Sequence, residues 1–138
     1  MKKIGIISCN INNLFSISNA FKKLDFLPVV SDDRKTLLNC DMLVLPGVGA
    51  YNVAMKNIKK RGIDNTISDF IKTGKNFLGI CLGFQLLFDE SEEFGNYKGL
   101  GVIKGHSKKF NFFNQNNIKY PVPQIGWNKI QKENLGWD

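Results

Sequence analysis

The sequence has little cysteine, little proline, one histidine and two arginines, and each scarcity closes off a class of function. Three cysteines in 138 residues, an odd number without C-x-x-C spacing, argue against a disulfide framework and against a zinc site. Free thiols suit a reducing cytosol, and neither a metal nor a cofactor is expected. No apolar run approaches the length that crosses a bilayer. Met1-Lys2-Lys3 followed by Ile4-Gly5-Ile6-Ile7 imitates a secretory signal, but the run is too short and stops at Ser8-Cys9-Asn10. The expectation is a soluble cytoplasmic protein. A formal charge of +7 raises the question of nucleic acid, yet Arg34 and Arg61 are the only arginines. The groups Lys59-Lys60-Arg61 and Lys108-Lys109 are not interleaved with base-stacking aromatics. Solvated lysine faces, some of them able to meet an acidic partner protein, are the better reading; neither nucleic acid nor membrane is expected as a partner. The one histidine, His106 in Lys104-Gly105-His106-Ser107, reads as a surface or hairpin residue.

What is present is enough apolar residue, 43%, for one domain spanning 1–138 with a real core. Lys3–Ser8 reads as a buried strand that ends in the polar loop Cys9-Asn10-Ile11-Asn12-Asn13. A helix follows, capped by Asn12 or Asn13, with Leu14, Ile17, Phe21 and Leu24 on one face. Leu27–Val30 is a short strand near an edge, and Ser31-Asp32-Asp33 caps a helical turn through Leu38. Asp41–Leu45 is a third strand, running into Pro46-Gly47-Val48-Gly49, a loop whose N–H groups could face a ligand or simply make a turn. Helices over 50–60 and 64–72, the second closed by Gly74, lead to a fourth strand at Phe77–Ile80. This alternation predicts a mainly parallel sheet with helices on both faces and a site at the carboxyl ends of the strands. Beyond Phe88 the acidic stretch Asp89-Glu90-Ser91-Glu92-Glu93 reads as the solvated end of a helix. The segments Leu100–Lys104, Ser107–Phe110 and Ile118–Pro123 read as antiparallel strands, and Gln124-Ile125-Gly126-Trp127-Asn128 as a turn with an anchoring Trp.

The chemistry concentrates in Phe77-Leu78-Gly79-Ile80-Cys81-Leu82-Gly83-Phe84-Gln85-Leu86-Leu87-Phe88. An apolar strand meets an apolar helix with no gap, and a cysteine stands between two glycines at the junction. This is the thiol form of the nucleophile elbow, in which the central residue is strained and its side chain is pushed out at the strand end. The free N–H groups and positive end of the following helix favour a thiolate, and the Leu82 N–H stands where an oxyanion would form. The competing reading is a buried thiol; Cys9 and Cys40 fit it, and the glycine bracket separates Cys81 from them.

Three motifs in order, Pro46-Gly47-Val48-Gly49, Gly79–Phe88 and Gly126-Trp127-Asn128, extended by Asp89–Glu93 and Lys98-Gly99-Leu100-Gly101, make the chain resemble the class I (triad) glutamine amidotransferases. Within them it is most similar to the glutaminase-subunit (HisH) family of imidazole glycerol phosphate synthase. The resemblance implies a flavodoxin-like fold, with a C-terminal antiparallel strand region after the parallel sheet. It implies that Cys81 attacks the carboxamide of glutamine, giving a glutamyl thioester and ammonia. The oxyanion hole would be the Leu82 N–H with an N–H of the Gly47-Val48 pair, and Gly49 and Gln85 would bind the substrate. Gly126, Trp127 and Asn128 would form part of the docking face for a (β/α)8 cyclase subunit, HisF. That partner uses the ammonia to convert PRFAR into imidazole glycerol phosphate and AICAR in histidine biosynthesis.

Two departures accompany the resemblance. Gln124 stands where many members carry a histidine. The family's general base and its orienting acid form a His-x-Glu pair near the C-terminus of a domain of about 200 residues, and no such pair precedes Asp138. The expectation is therefore a C-terminally incomplete domain, truncated before its last elements and inactive alone. Two alternatives stand beside it: an ammonia-supplying subunit for a surface-polysaccharide sugar amidotransferase, and a catalytically dead docking or regulatory subunit.

Overall fold

The computed structural model describes residues 1–9, 14–108 and 126–129. Four strands, β1 (Lys3–Ile7), β2 (Leu27–Ser31), β3 (Met42–Gly47) and β4 (Asn76–Cys81), form a parallel sheet in the order β2-β1-β3-β4. The helices between them are α1 (Leu14–Lys23), α2 (Arg34–Leu38), α3 (Tyr51–Lys60) and α4 (Ile63–Lys72). Side chains alternate across a strand, so β1 and β3 each feed two cores. Ile4, Ile6 and Val44 point to one face, where Leu14, Ile17 and Phe21 of α1 cover them. Ile7, Leu43 and Leu45 point to the other, against Leu37, Tyr51, Ala54, Ile58, Ile63, Ile67 and Phe70. Helices thus lie on both faces, as the strand-helix alternation implies.

Leu24 does not join the α1 stripe. The helix stops at Lys23, Asp25 takes a left-handed φ of 59°, and Leu24 is exposed. Phe26 takes its place, packing edge-on against Phe21 with ring centroids 6.1 Å apart. The cap expected at Asn12 or Asn13 lies outside the described residues. The turn at Ser31-Asp32-Asp33 does cap α2: the Asp33 carboxylate accepts from the Thr36 amide at 2.8 Å and the Thr36 hydroxyl at 2.7 Å.

The helix expected to run from Cys81 into the acidic stretch is a single turn, α5 (Leu82–Gln85). The chain then enters β5 (Phe88–Ser91), which pairs with β6 (Tyr97–Lys98) and β7 (Ile103–Ser107) in the order β6-β5-β7. The reason lies in the carbonyls: Leu86 accepts from the Leu100 amide at 2.9 Å, and Leu87 accepts from Val102 at 2.8 Å and Ile103 at 2.9 Å. Acceptors taken from across the fold cannot continue a helix. The second sheet is mixed, with β5-β6 antiparallel but β5-β7 parallel, which corrects the all-antiparallel expectation. Tyr97, Leu100 and Ile103 close it onto the larger core. The strands expected at 100–104 and 107–110 meet in β7, which starts at Ile103 and ends at Ser107, while residues 109–110 and the strand expected at 118–123 lie outside the described residues.

Both arginines are held in ion pairs of 2.6 Å, Arg34 with Asp69 and Arg61 with Asp32. No helix among the described residues is long and apolar enough to cross a membrane.

The Thr36 hydroxyl, then the Thr36 amide, hold the Asp33 carboxyl below its ordinary range. A lowered value means that the folded state binds this proton less readily than the unfolded chain. Its contribution is therefore full above the usual carboxylate range and disappears as pH falls through the folded value. Asp33→Ala should be less stable than the parent at neutral pH, and the gap should close on acidification. Urea denaturation across pH checks this; a gap that stays constant would contradict it.

Candidate active site

The site is built on the last rung of the β3–β4 ladder, where Gly47 pairs with Cys81. Cys81 closes β4 and opens α5 with φ 55° and ψ −121°, a conformation that a non-glycine residue holds only when its surroundings over-determine it. The surroundings are three glycines. A Cβ on Gly83 would overlap the carbonyl oxygen of Leu45 and stand 2.7 Å from the carbonyl carbon. A Cβ on Gly79 would lie 2.7 Å from the α-carbon of Phe84, and one on Gly47 would lie 2.7 Å from the Gly83 nitrogen and 3.0 Å from the Leu82 Cβ. The bend after β4 therefore lies directly on the backbone of β3.

This bend turns Cys81 outward. Its side chain is exposed and makes no capping hydrogen bond to α5, whereas Cys9 and Cys40 are buried. Burial, reinforced by Asp41, pushes the Cys40 thiol up, which keeps it protonated. Leu82 is buried as the first residue of α5, where an N–H has no partner within its own helix. Gly47 is buried against it, while Val48 and Gly49 stand open at the sheet rim, Gly49 at φ 96°. Gln85 is half-buried at the end of the turn. Cys81, Leu82, Gly47 and the loop after it are thus brought together at the carboxyl end of the sheet. The helix behind the sulfur is one turn long, so the dipole of a long helix is not available there.

Other residues singled out from sequence lie elsewhere. His106 is exposed on β7, in register with Glu90 of β5. Gly126, Trp127 and Asn128 are exposed, Trp127 completely. Gln124 is outside the described residues. Among the described residues no group of three or more His, Cys, Asp or Glu side chains could hold a metal ion. The sequence does not mark Tyr51, which is fully buried at the start of α3, just after the glycine-rich loop.

Gly83→Ala should cost roughly 1–3 kcal/mol, because the new methyl meets a backbone carbonyl that cannot step aside. It should also distort Cys81. Urea denaturation against the parent measures the cost, and an alanine variant of unchanged stability would contradict the close-approach account.

The model for the CobB/CobQ-like glutamine amidotransferase domain matches residues 7–119. Among curated proteins, the imidazole glycerol phosphate synthase subunit HisH of Prochlorococcus marinus (strain NATL2A) is 46% identical over 134 residues, covering 97% of this chain and 62% of that protein. The HisH subunit of Sulfurimonas denitrificans is 44% identical over 128 residues, with coverages of 92% and 61%. The chain thus spans a little over three-fifths of the length of these relatives. A solved structure described as a glutamine amidotransferase superposes with a TM-score of 0.66 at 20% identity, covering 81% of this chain and 59% of that one. A putative peptidase E from Listeria monocytogenes gives 0.59 at 18%, covering 74% and 63%, so the same fold also occurs in a protein of a different description. The family match over most of the chain and the elbow at Cys81 agree: this chain belongs to the glutamine amidotransferase domain family.

Proposed function

We propose that residues 1–138 form one glutamine amidotransferase type 1 domain acting as the glutaminase side of an imidazole glycerol phosphate synthase. The single observation that carries the reading is Cys81: an exposed thiol at a strained φ, paired in register with Gly47 and followed by Leu82. In this reading the sulfur of Cys81 attacks the side-chain carbonyl carbon of glutamine. The carbonyl oxygen takes the negative charge and is held by the Leu82 N–H and an N–H of Gly47 or Val48. Fixed donors of this kind are worth about 2.7–4 kcal/mol each where one has been removed. The C–N bond breaks, the nitrogen takes the proton that the thiol gave up and leaves as ammonia, and water then hydrolyses the glutamyl thioester to glutamate, restoring the thiol. Gly49, on the loop after Gly47, and Gln85, at the end of α5, would seat the substrate.

The ammonia would pass to a (β/α)8 cyclase subunit of the HisF type, docked in part on Gly126, Trp127 and Asn128, for the conversion of PRFAR to imidazole glycerol phosphate and AICAR. A fully exposed Trp127 supports an anchoring role there, since large aromatics dominate interface cores. A reducing cytosol suits the exposed thiol. The names of the HisH relatives favour this pathway over the polysaccharide-sugar alternative.

Ammonia departure needs a proton and a general base, a contribution of typically 10²–10⁴-fold. The direct test therefore uses a substrate whose leaving group needs neither. With L-γ-glutamyl p-nitrophenyl ester, the chain should release a burst of one p-nitrophenolate per molecule, saturating in ester and leaving a glutamyl group on Cys81 by mass spectrometry. Cys81→Ala should show no burst. A burst that persists in that variant, or that never saturates, would overturn the assignment.

A further inference from the structure

The loop that faces Cys81 has little of its own to hold it. Val48 and Gly49 are exposed, and a Cβ on Gly49 would touch nothing within 4 Å. Its position must be set from its two ends. One end is Gly47, fixed on the last rung of the ladder. The other is Tyr51, the first residue of α3.

Tyr51 is fully buried, and its hydroxyl has no hydrogen-bond partner among the described residues. An unpartnered buried hydroxyl is costly, so packing must be what keeps the ring in place. Its tip rests on Gly99, where a Cβ would overlap both the Tyr51 oxygen and the Phe88 carbonyl oxygen and stand 3.0 Å from the Leu86 carbonyl oxygen. Those two carbonyls are themselves fixed, Leu86 by the Leu100 amide at 2.9 Å and Phe88 by the Gly101 amide at 3.1 Å. Tyr51 therefore joins the start of α3 to the segment that leaves the Cys81 bend. The neighbouring Asn52 adds a long contact of 3.5 Å to the Tyr97 hydroxyl on β6. Burial first and Glu90 second push the Tyr51 phenol up, so the ring remains a neutral plug.

We propose that Tyr51 is a positioning residue for thiol acylation: its ring clamps α3 onto the Leu86–Gly99 segment and so holds the Gly47–Gly49 loop beside Cys81. The proposal rests on the glutaminase reading given above. Tyr51 touches no substrate in it; the ring acts through the loop amides, whose displacement by an ångström costs up to about a hundredfold in rate.

The glutamyl ester burst separates the two ideas, because it yields both an acylation rate constant and a half-saturating ester concentration. Tyr51→Phe keeps the ring and should acylate at the parental rate. Tyr51→Leu is too short to reach Gly99 and should acylate about ten- to a hundredfold more slowly. Its half-saturating concentration should rise by less than its rate constant falls, because Gly49 of the same loop seats the substrate while the loop amides act on the oxyanion formed in the transition state; its burst amplitude should be undiminished, since amplitude counts folded molecules. If the leucine variant does not fold, Tyr51→Met, which keeps volume but loses the rigid ring, carries the same comparison with a smaller slowing. A folded leucine or methionine variant that acylates at the parental rate would overturn the proposal, as would a phenylalanine variant as slow as leucine. Absence of a burst from the parent would instead defeat the glutaminase reading itself.

Discussion

The structure depends on one close approach, the α-carbon of Gly83 against the carbonyl oxygen of Leu45. Protein backbones come this near only where a side chain is missing from one of them. Glycine at 83, at 79 and at 47 lets the bend after β4 lie flat on the end of β3, and the bend in turn fixes Cys81 at φ 55°. In that conformation the Cys81 thiol is exposed. Exposure of the thiol, its registration with Gly47 and its nearness to Leu82 are consequences of one geometric fact.

The remainder of the fold holds that rung still. The parallel ladder β2-β1-β3-β4 is clamped by α1 on one face and by α2, α3 and α4 on the other, with Phe70, Ile67, Ile58 and Leu45 fully buried between them. Apolar burial on both faces is what gives a parallel sheet its rigidity. At the amino end of β4, Lys75 donates to the carbonyls of Leu38 and Cys40 at 3.0 and 2.9 Å, and its ammonium lies 5.3 Å from the Phe70 ring centroid. One lysine thereby ties α2, α4 and the starts of β3 and β4 together. The second sheet braces the far side of the bend through Leu100 and Ile103.

Much of this was legible in the sequence because each signal was local. Buried parallel strands read as short apolar runs, α2 carries its own cap in Asp33, and the glycine bracket around Cys81 points to the bend without any tertiary knowledge. What escaped was non-local. Leu86-Leu87-Phe88 has the composition of a helix, but amides from 100–103 claim its carbonyls, and pairing across the fold outweighs propensity. Leu24 continues the α1 period on paper, yet Phe26 is the better plug and the chain turns to use it. Tyr51 carries no polar motif, so its place between the loop and the Cys81 bend emerges only when Gly99 is seen beside its hydroxyl.

In the proposed reaction one small region, Gly47 to Gly49 with Leu82, responds to chemistry at the Cys81 sulfur. Backbone amide NMR of the uniformly ¹⁵N-labelled chain, before and after Cys81 is acylated with the glutamyl ester, addresses it directly. The largest shifts should fall on the amides of Gly47 or Val48 and of Leu82, with the amides of β1 and β2 unmoved. Acylation of Cys81 that leaves residues 47, 48 and 82 unshifted would contradict the account.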